Sequence, residues 1–232
     1  MSQELTATPS STVRRAANRA EYDRATAYEV LDEGLVCHVG FVGDDGRPVV
    51  IPTTYARRGD RLLLHGSPAS RMLRGLGSGI DVCVTVTLLD GLVLARSAFH
   101  HSMNYRSVVL FGRATRVEDP AAKVAALDAF VDHLVPGRRP SLREMTEKEV
   151  KGTLVLEMAI DEGSAKVRTG PPIDDEEDYT FPVWAGVLPL ALTAGAPEPD
   201  PRLEGDLETP AEVVGYERSR PGGDPEAGRG AA

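Results

Sequence analysis

The stretch with most chemistry to offer is Leu64-His65-Gly66-Ser67-Pro68-Ala69-Ser70-Arg71. An apolar run, Leu62 to Leu64, leads into it and reads as a strand. Ser67 suits an N-cap and Pro68 the first helical position, so the strand is predicted to pass directly into a helix. Such a junction leaves backbone N–H groups free and aims the positive end of the helix dipole at one spot. Ser70 adds a hydroxyl and Arg71 a planar guanidinium, which completes the composition of a phosphate site. An ordinary capped surface helix with a solvated arginine has the same local sequence. The stretch alone leaves both readings open.

The elements that would position this corner follow from periodicity. Arg14 to Glu33 carries helix formers, with Gly34 placed to stop them. Strands are predicted at Leu35 to Val42 and Val49 to Tyr55, joined by Gly43-Asp44-Asp45-Gly46, and at Arg61 to Gly66 after the turn Arg57 to Asp60. Ile80 to Leu89 and Leu92 to Ser97 flank Asp90-Gly91, which reads as a two-residue hairpin turn. Tyr105 to Thr115 is a further strand. Asp119-Pro120 opens a helix whose buried stripe is expected to be Val124, Leu127, Val131 and Leu134. Ser141 to Glu144 has the pattern of a capping box for a short helix closed by Lys151-Gly152. Thr153 to Ile160 is the last long strand. Short antiparallel strands joined by hairpins, with peripheral helices, predict a closed or half-closed barrel in a mainly β protein.

The chain has 232 residues, enough for one sizeable core with tails. Its 26 basic against 35 acidic residues give a net charge of −9, which argues against nucleic acid or an anionic membrane surface as partner. Cys37 and Cys83 both sit in apolar runs and suit buried thiols in a reducing cytoplasm. The start, Met1 to Thr6, shows no secretory signal, and no apolar tract is long enough to span a bilayer. The organisation expected is a flexible N-terminus over residues 1–13, a barrel domain over 14–190, and a disordered tail over 191–232 that is dense in Pro, Gly and Glu. A cytoplasmic protein is expected.

Taken together, the strand pattern and the phosphate-like turn resemble the FMN-binding split-barrel family related to pyridoxamine 5'-phosphate oxidase. Within it the chain looks most similar to flavin-nucleotide-binding proteins grouped with nitroimidazole-resistance reductases. The resemblance is carried by Cys37 to Phe41, Pro48 to Thr53, Leu64 to Met72, Asp90 to Ser107, and Ser164-Ala165-Lys166-Val167-Arg168. It implies a six-stranded, Greek-key-like split β-barrel and a homodimer with FMN at the subunit interface. Position by position it places flavin contacts at Val50, Ile51, Pro52 and Thr53, and phosphate contacts at His65, Gly66, Ser67, Ser70 and Arg71. Ser107 and Val108 fall on the strand that makes interface contacts. Trp184, in Val183-Trp184-Ala185-Gly186, is similar to a Trp-x-Gly segment that reaches the partner's flavin, although a core tryptophan would read alike.

The departures narrow the chemistry. Where the resemblance calls for an arginine and an Arg-x-His element to hold a substrate phosphate, the chain has Val187-Leu188-Pro189-Leu190. A phosphate ester buried there would lack its counter-charge, so vitamin B6 phosphate is not the expected substrate. With FMN bound, the residues left to face a small electron-poor molecule are His38, Tyr55, His100 and His101, each able to donate a proton or orient a substrate. His38 as a satisfied strand histidine and His100-His101 as a solvated pair are the plainer alternatives. No cysteine or carboxylate stands at ligand spacing from these histidines, and no metal site is expected. Haem held through His38, His65 or His100, or a deazaflavin, are the alternative cofactors. No Gly-x-Gly-x-x-Gly is present, so NAD(P)H would bind only transiently as donor. The functions expected are an FMN-dependent oxidoreductase or a non-catalytic flavin, haem or deazaflavin module.

Overall fold

Valine, isoleucine, leucine and threonine alternate with polar residues through the middle of the chain, and these runs pair into a curled antiparallel sheet. A computed structural model describes residues 3–217. Residues 218–232, the far end of the tail expected from composition, lie outside the described residues. The strands are β1 (Ala20–Glu21), β2 (Val36–Val42), β3 (Pro48–Thr54), β4 (Ala56–Arg58), β5 (Arg61–Gly66), β6 (Asp81–Leu94), β7 (Ser102–Arg116), β8 (Leu154–Ala159), β9 (Glu162–Arg168) and β10 (Gly186–Pro189). The helices are α1 (Arg24–Glu33), α2 (Arg71–Leu76), α3 (Pro120–Leu134), α4 (Glu147–Gly152) and α5 (Ala211–Val214). Neighbours run in the order β3-β2-β6-β7-β8-β5-β4. The long strand β7 splits the barrel: Tyr105 to Phe111 pair with β9, whereas Ala114 to Arg116 pair with β8.

This is the mainly β, antiparallel half-barrel with peripheral helices that the sequence predicts, with ten strands rather than six. Its interior holds Cys37, Val39, Leu62, Leu64, Val84, Leu110 and Leu156, all buried. Each such side chain stabilises the fold by about 1.5–3 kcal/mol. Ala27, Val30 and Leu31 of α1 are buried with them. Tyr55 joins β3 to β4 and is fully buried, its hydroxyl donating to Leu31 O at 2.6 Å. A second, smaller cluster lies outside the barrel, where Ala126 and Phe130 of α3 pack on Ala56, Leu63 and Val155.

Several elements differ from the sequence expectations, each for a physical reason. Residues 81–94 form one strand, with only a register shift between Leu89 and Gly91 where a hairpin was expected. The Asp90 carboxylate is held by Arg106, and Gly91 is small because β10 crosses it: a Cβ there would lie 3.1 Å from Leu188 O. The true turn spans residues 95–101. Helix α1 begins only at Arg24, capped by the Asp23 side chain on Thr26 N. The capping box is Thr146 with Glu149, not Ser141 with Glu144. None of Val124, Leu127, Val131 and Leu134 is fully buried, because α3 turns Ala126 and Phe130 to the sheet. Among the described residues no helix is long and apolar enough to cross a membrane.

Candidate functional site

On β5, alternation sends Leu62 and Leu64 into the barrel and Leu63 and His65 toward α3. The strand ends at Gly66, where a Cβ would meet Leu73 Cδ1 at 2.9 Å, so α2 packs closely against the strand end. Beyond it, Ser67, Pro68, Ala69 and Arg71 are exposed. The helix starts one turn later than its sequence suggests: Ser70, not Ser67, is the N-cap, its hydroxyl accepting from Leu73 N at 3.4 Å. The Ser67 hydroxyl accepts from Ala69 N at 3.2 Å, outside the helix. With six residues, α2 is too short for its dipole to count for much, so attraction for an anion falls to Arg71. Among the described residues Arg71 has no hydrogen-bond or ion-pair partner.

The other predicted cofactor residues lie elsewhere. Val50, Ile51, Pro52 and Thr53 are on edge strand β3, with Val50 64% exposed. His38, on β2, stands between Pro52 of β3 and Thr85 of β6, exposed on the outer sheet face. Ser107 shares that face, but Val108 points into the core with no exposure, so its side chain cannot touch a ligand outside. Tyr55 is likewise too deeply buried, and its hydroxyl too engaged, to face a substrate. Trp184 is not a core residue: it is 69% exposed, with its ring against Gly186. A concavity of about 720 Å³ over Gly40, Val50, Cys83 and Phe111 includes only Val50 of the predicted set. One chain therefore does not gather the predicted residues into a single pocket.

Burial pushes the Cys37 thiol up to about 12 and raises that of Cys83, so neither is a ready nucleophile.

Sequence spacing missed two features. His100 Nε2 lies 3.2 Å from Asp175 Oδ2, and the ligand atoms of His100, Asp175 and Asp178 fall within 4.8 Å of one another. These carboxylates lie some 75 residues away in the chain, so local spacing could not reveal them. His101 Nδ1 is bonded to Ser97 O at 2.8 Å. The second feature is a cavity of about 550 Å³ behind α3, with His65 among its lining residues. Leu127, Phe130, Val131, Leu134, Leu142 and Met145 supply apolar walls. The His65 ring packs on Phe130 at 4.0 Å, and its buried Nδ1 has no hydrogen-bond partner among the described residues. Burial lowers its pKa, so the imidazole is neutral near pH 7.

Residues 23–167 match the family described as pyridoxamine 5'-phosphate oxidase. The chain belongs to this family. Among solved structures of the pyridoxamine 5'-phosphate oxidase fold, the flavocytochrome Anf3 from Azotobacter vinelandii is 45% identical, with TM-score 0.85, covering 91% of this chain and 98% of that one. The FAD and heme binding protein from Mycobacterium smegmatis is 40% identical, with TM-score 0.81, covering 85% and 96%. A structure described as a 5-nitroimidazole antibiotic resistance protein, from Bacteroides thetaiotaomicron, shares the fold at 24% identity and TM-score 0.55, over 64% and 86% of the two chains. No curated protein matches the chain.

Proposed function

We propose that this member of the pyridoxamine 5'-phosphate oxidase family binds a flavin at the interface of a homodimer and acts as a redox protein that also carries haem. The observation that carries the flavin reading is the open β5–α2 corner. Exposed Arg71 there has no hydrogen-bond or ion-pair partner among the described residues, and it stands beside the exposed turn Ser67 to Ala69. An unpaired guanidinium is suited to a phosphate, which FMN and FAD share. The relatives at 45% and 40% identity support the reading, one a flavocytochrome and the other a FAD and heme binding protein. FMN is the form implied by the sequence resemblance, and FAD is the form named for the Mycobacterium smegmatis relative.

The dimer follows from how the predicted residues are scattered. Val36, Val42, Val50 and Leu89 expose apolar surface on one side of the sheet, and an arm carrying Phe181, Val183 and Trp184 exposes more. A second copy would cover the sheet face and bring its Trp184 toward the flavin of the first. When bound, the flavin supplies the electron transfer, and the chain supplies position and access. His38, on the outer face, and His100, held by Asp175, are the side chains left to orient a small electron-poor substrate. Vitamin B6 phosphate stays disfavoured, because residues 184–190 contain no basic side chain.

The test is the purified protein. A yellow dimer is expected, releasing FMN or FAD on denaturation and bleaching with NAD(P)H or dithionite. A colourless protein that takes up neither flavin on reconstitution would exclude the reading.

A further inference from the structure

The cavity behind α3 carries an inference beyond the flavin corner. We propose that it is the haem site, with the His65 imidazole as iron ligand and the Leu127–Val131–Leu134 stripe of α3 as one wall against the porphyrin. This rests on the haem half of the function proposed above.

Four observations converge on it. First, α3 has an apolar stripe that it uses only in part against the barrel. Ala126 and Phe130 meet the sheet, with Leu127 packed at the margin of that contact, while Leu127, Val131 and Leu134 share a face that lines the cavity. Apolar surface left uncovered by its own fold favours an apolar occupant. Second, the cavity volume of about 550 Å³ lies within the roughly 300–1,000 Å³ of cofactor pockets.

Third, the polar group offered is an imidazole in the form that ligates metal. The buried Nδ1 of His65 has no hydrogen-bond partner among the described residues, which ordinarily costs about 1–3 kcal/mol and calls for an explanation. Fourth, the remaining polar groups of the lining are engaged in building the wall. Arg139 ties residues 139–144 to Asp128 of α3 and to Glu144, and Arg143 bonds Glu149 of α4. Glu149 also accepts from Thr146 N at 2.8 Å. A bare ion would find one imidazole and no free carboxylate, and a lipid would have no need of the imidazole. A planar apolar macrocycle bearing a metal uses both.

The other histidines do not compete. His133 Nε2 is bonded to Gly34 O at 2.7 Å, His100 to Asp175, and His101 to Ser97 O. His38 lies exposed on an open sheet face. Because side chains alternate along β5, the His65 ring can hold haem on the α3 side while Gly66 to Arg71 serve the flavin corner.

The full chain, reconstituted with hemin, is compared in the wild type and in His65→Ala, Leu134→Trp, His38→Ala and His100→Ala. Melting curves check each fold, and Soret absorbance and bound haem per protomer are the readouts. The expected result is loss of the Soret band in His65→Ala with flavin content retained, and its return when free imidazole is added. Leu134→Trp, which fills the cavity and keeps the imidazole, should also lose haem. A wild-type Soret band in His65→Ala, or its loss in His38→Ala or His100→Ala instead, would overturn the assignment. Absence of haem uptake by the wild type would overturn it together with the haem half of the function, while leaving the flavin reading intact.

Discussion

At the scale of single residues, Arg71 and Gly34 show two ways one position can matter. Arg71 is exposed and has no hydrogen-bond or ion-pair partner among the described residues, so its removal should leave the fold alone. A charge-assisted hydrogen bond to a phosphate contributes about 1.5–3 kcal/mol, so Arg71→Ala should weaken flavin binding by roughly 10- to 100-fold. Ser70 would be a poor choice for the same test, because its hydroxyl caps α2 and its loss would cost about 1 kcal/mol of helix stability. Gly34 is the opposite case. Its φ of −68° is open to any residue, but a Cβ would lie 2.5 Å from Val86 Cγ1 and 2.6 Å from the Tyr55 hydroxyl. Gly34→Ala should therefore destabilise the fold by about 1–3 kcal/mol through overpacking, read as a lower denaturant midpoint. An unchanged midpoint would mean that α1 can shift away from the barrel.

At the scale of elements, the C-terminal arm is held to the barrel by charge as much as by packing. The Asp174 carboxylate accepts from Arg96 N at 3.0 Å and from its guanidinium at 3.0 Å, with the Arg96 guanidinium also 4.8 Å from the Tyr179 ring centroid. Burial alone would raise the Asp174 pKa, yet the Arg96 donors outweigh it and hold the group below the usual carboxylate range. A folded pKa lowered in this way adds stability that is present above the unfolded value near 4 and is lost as pH falls through the folded value. Asp174→Asn should thus melt below the wild type at neutral pH, and the gap should close as the solution is acidified. A gap that stays constant with pH would show that Arg96 does not act through charge.

The same arm shows what the sequence could and could not reveal. Runs such as Val36 to Val42 and Arg61 to Gly66 are legible because their β-branched and apolar residues fit a pleat on their own. Asp90-Gly91 has the composition of a turn, but Arg106, 16 residues away, takes the aspartate, and β10, almost 100 residues later, explains the glycine. The passage from strand to helix at Ser67 to Arg71 was legible, although its cap was misplaced from Ser70 to Ser67. The cavity was not, because the apolar stripe of α3 has the same periodicity whether it faces a core or an occupant.

At the scale of the whole molecule, the outer sheet face is the part that a single chain leaves unfinished. Val42 and Val50 are 63% and 64% exposed, and both lie on that face. Burying such side chains against a second copy would contribute about 25 cal/mol per Å² of apolar area, whereas a charge placed among them would have to be desolvated unpaired. Val50→Asp should accordingly leave a folded monomer that elutes at half the mass of the wild-type dimer and retains little flavin. A Val50→Asp protein that stays dimeric would place the subunit contact on another face.

Everything about the site depends on whether a flavin phosphate is gripped at the turn after β5. The most direct measurement is titration of the flavin-free protein with FMN and with FAD, followed by flavin fluorescence, in the wild type and in Arg71→Ala. Tight binding by the wild type and a roughly 10- to 100-fold weaker constant for the variant, with unchanged melting, is the expected result. Equal affinity in the two proteins would contradict it.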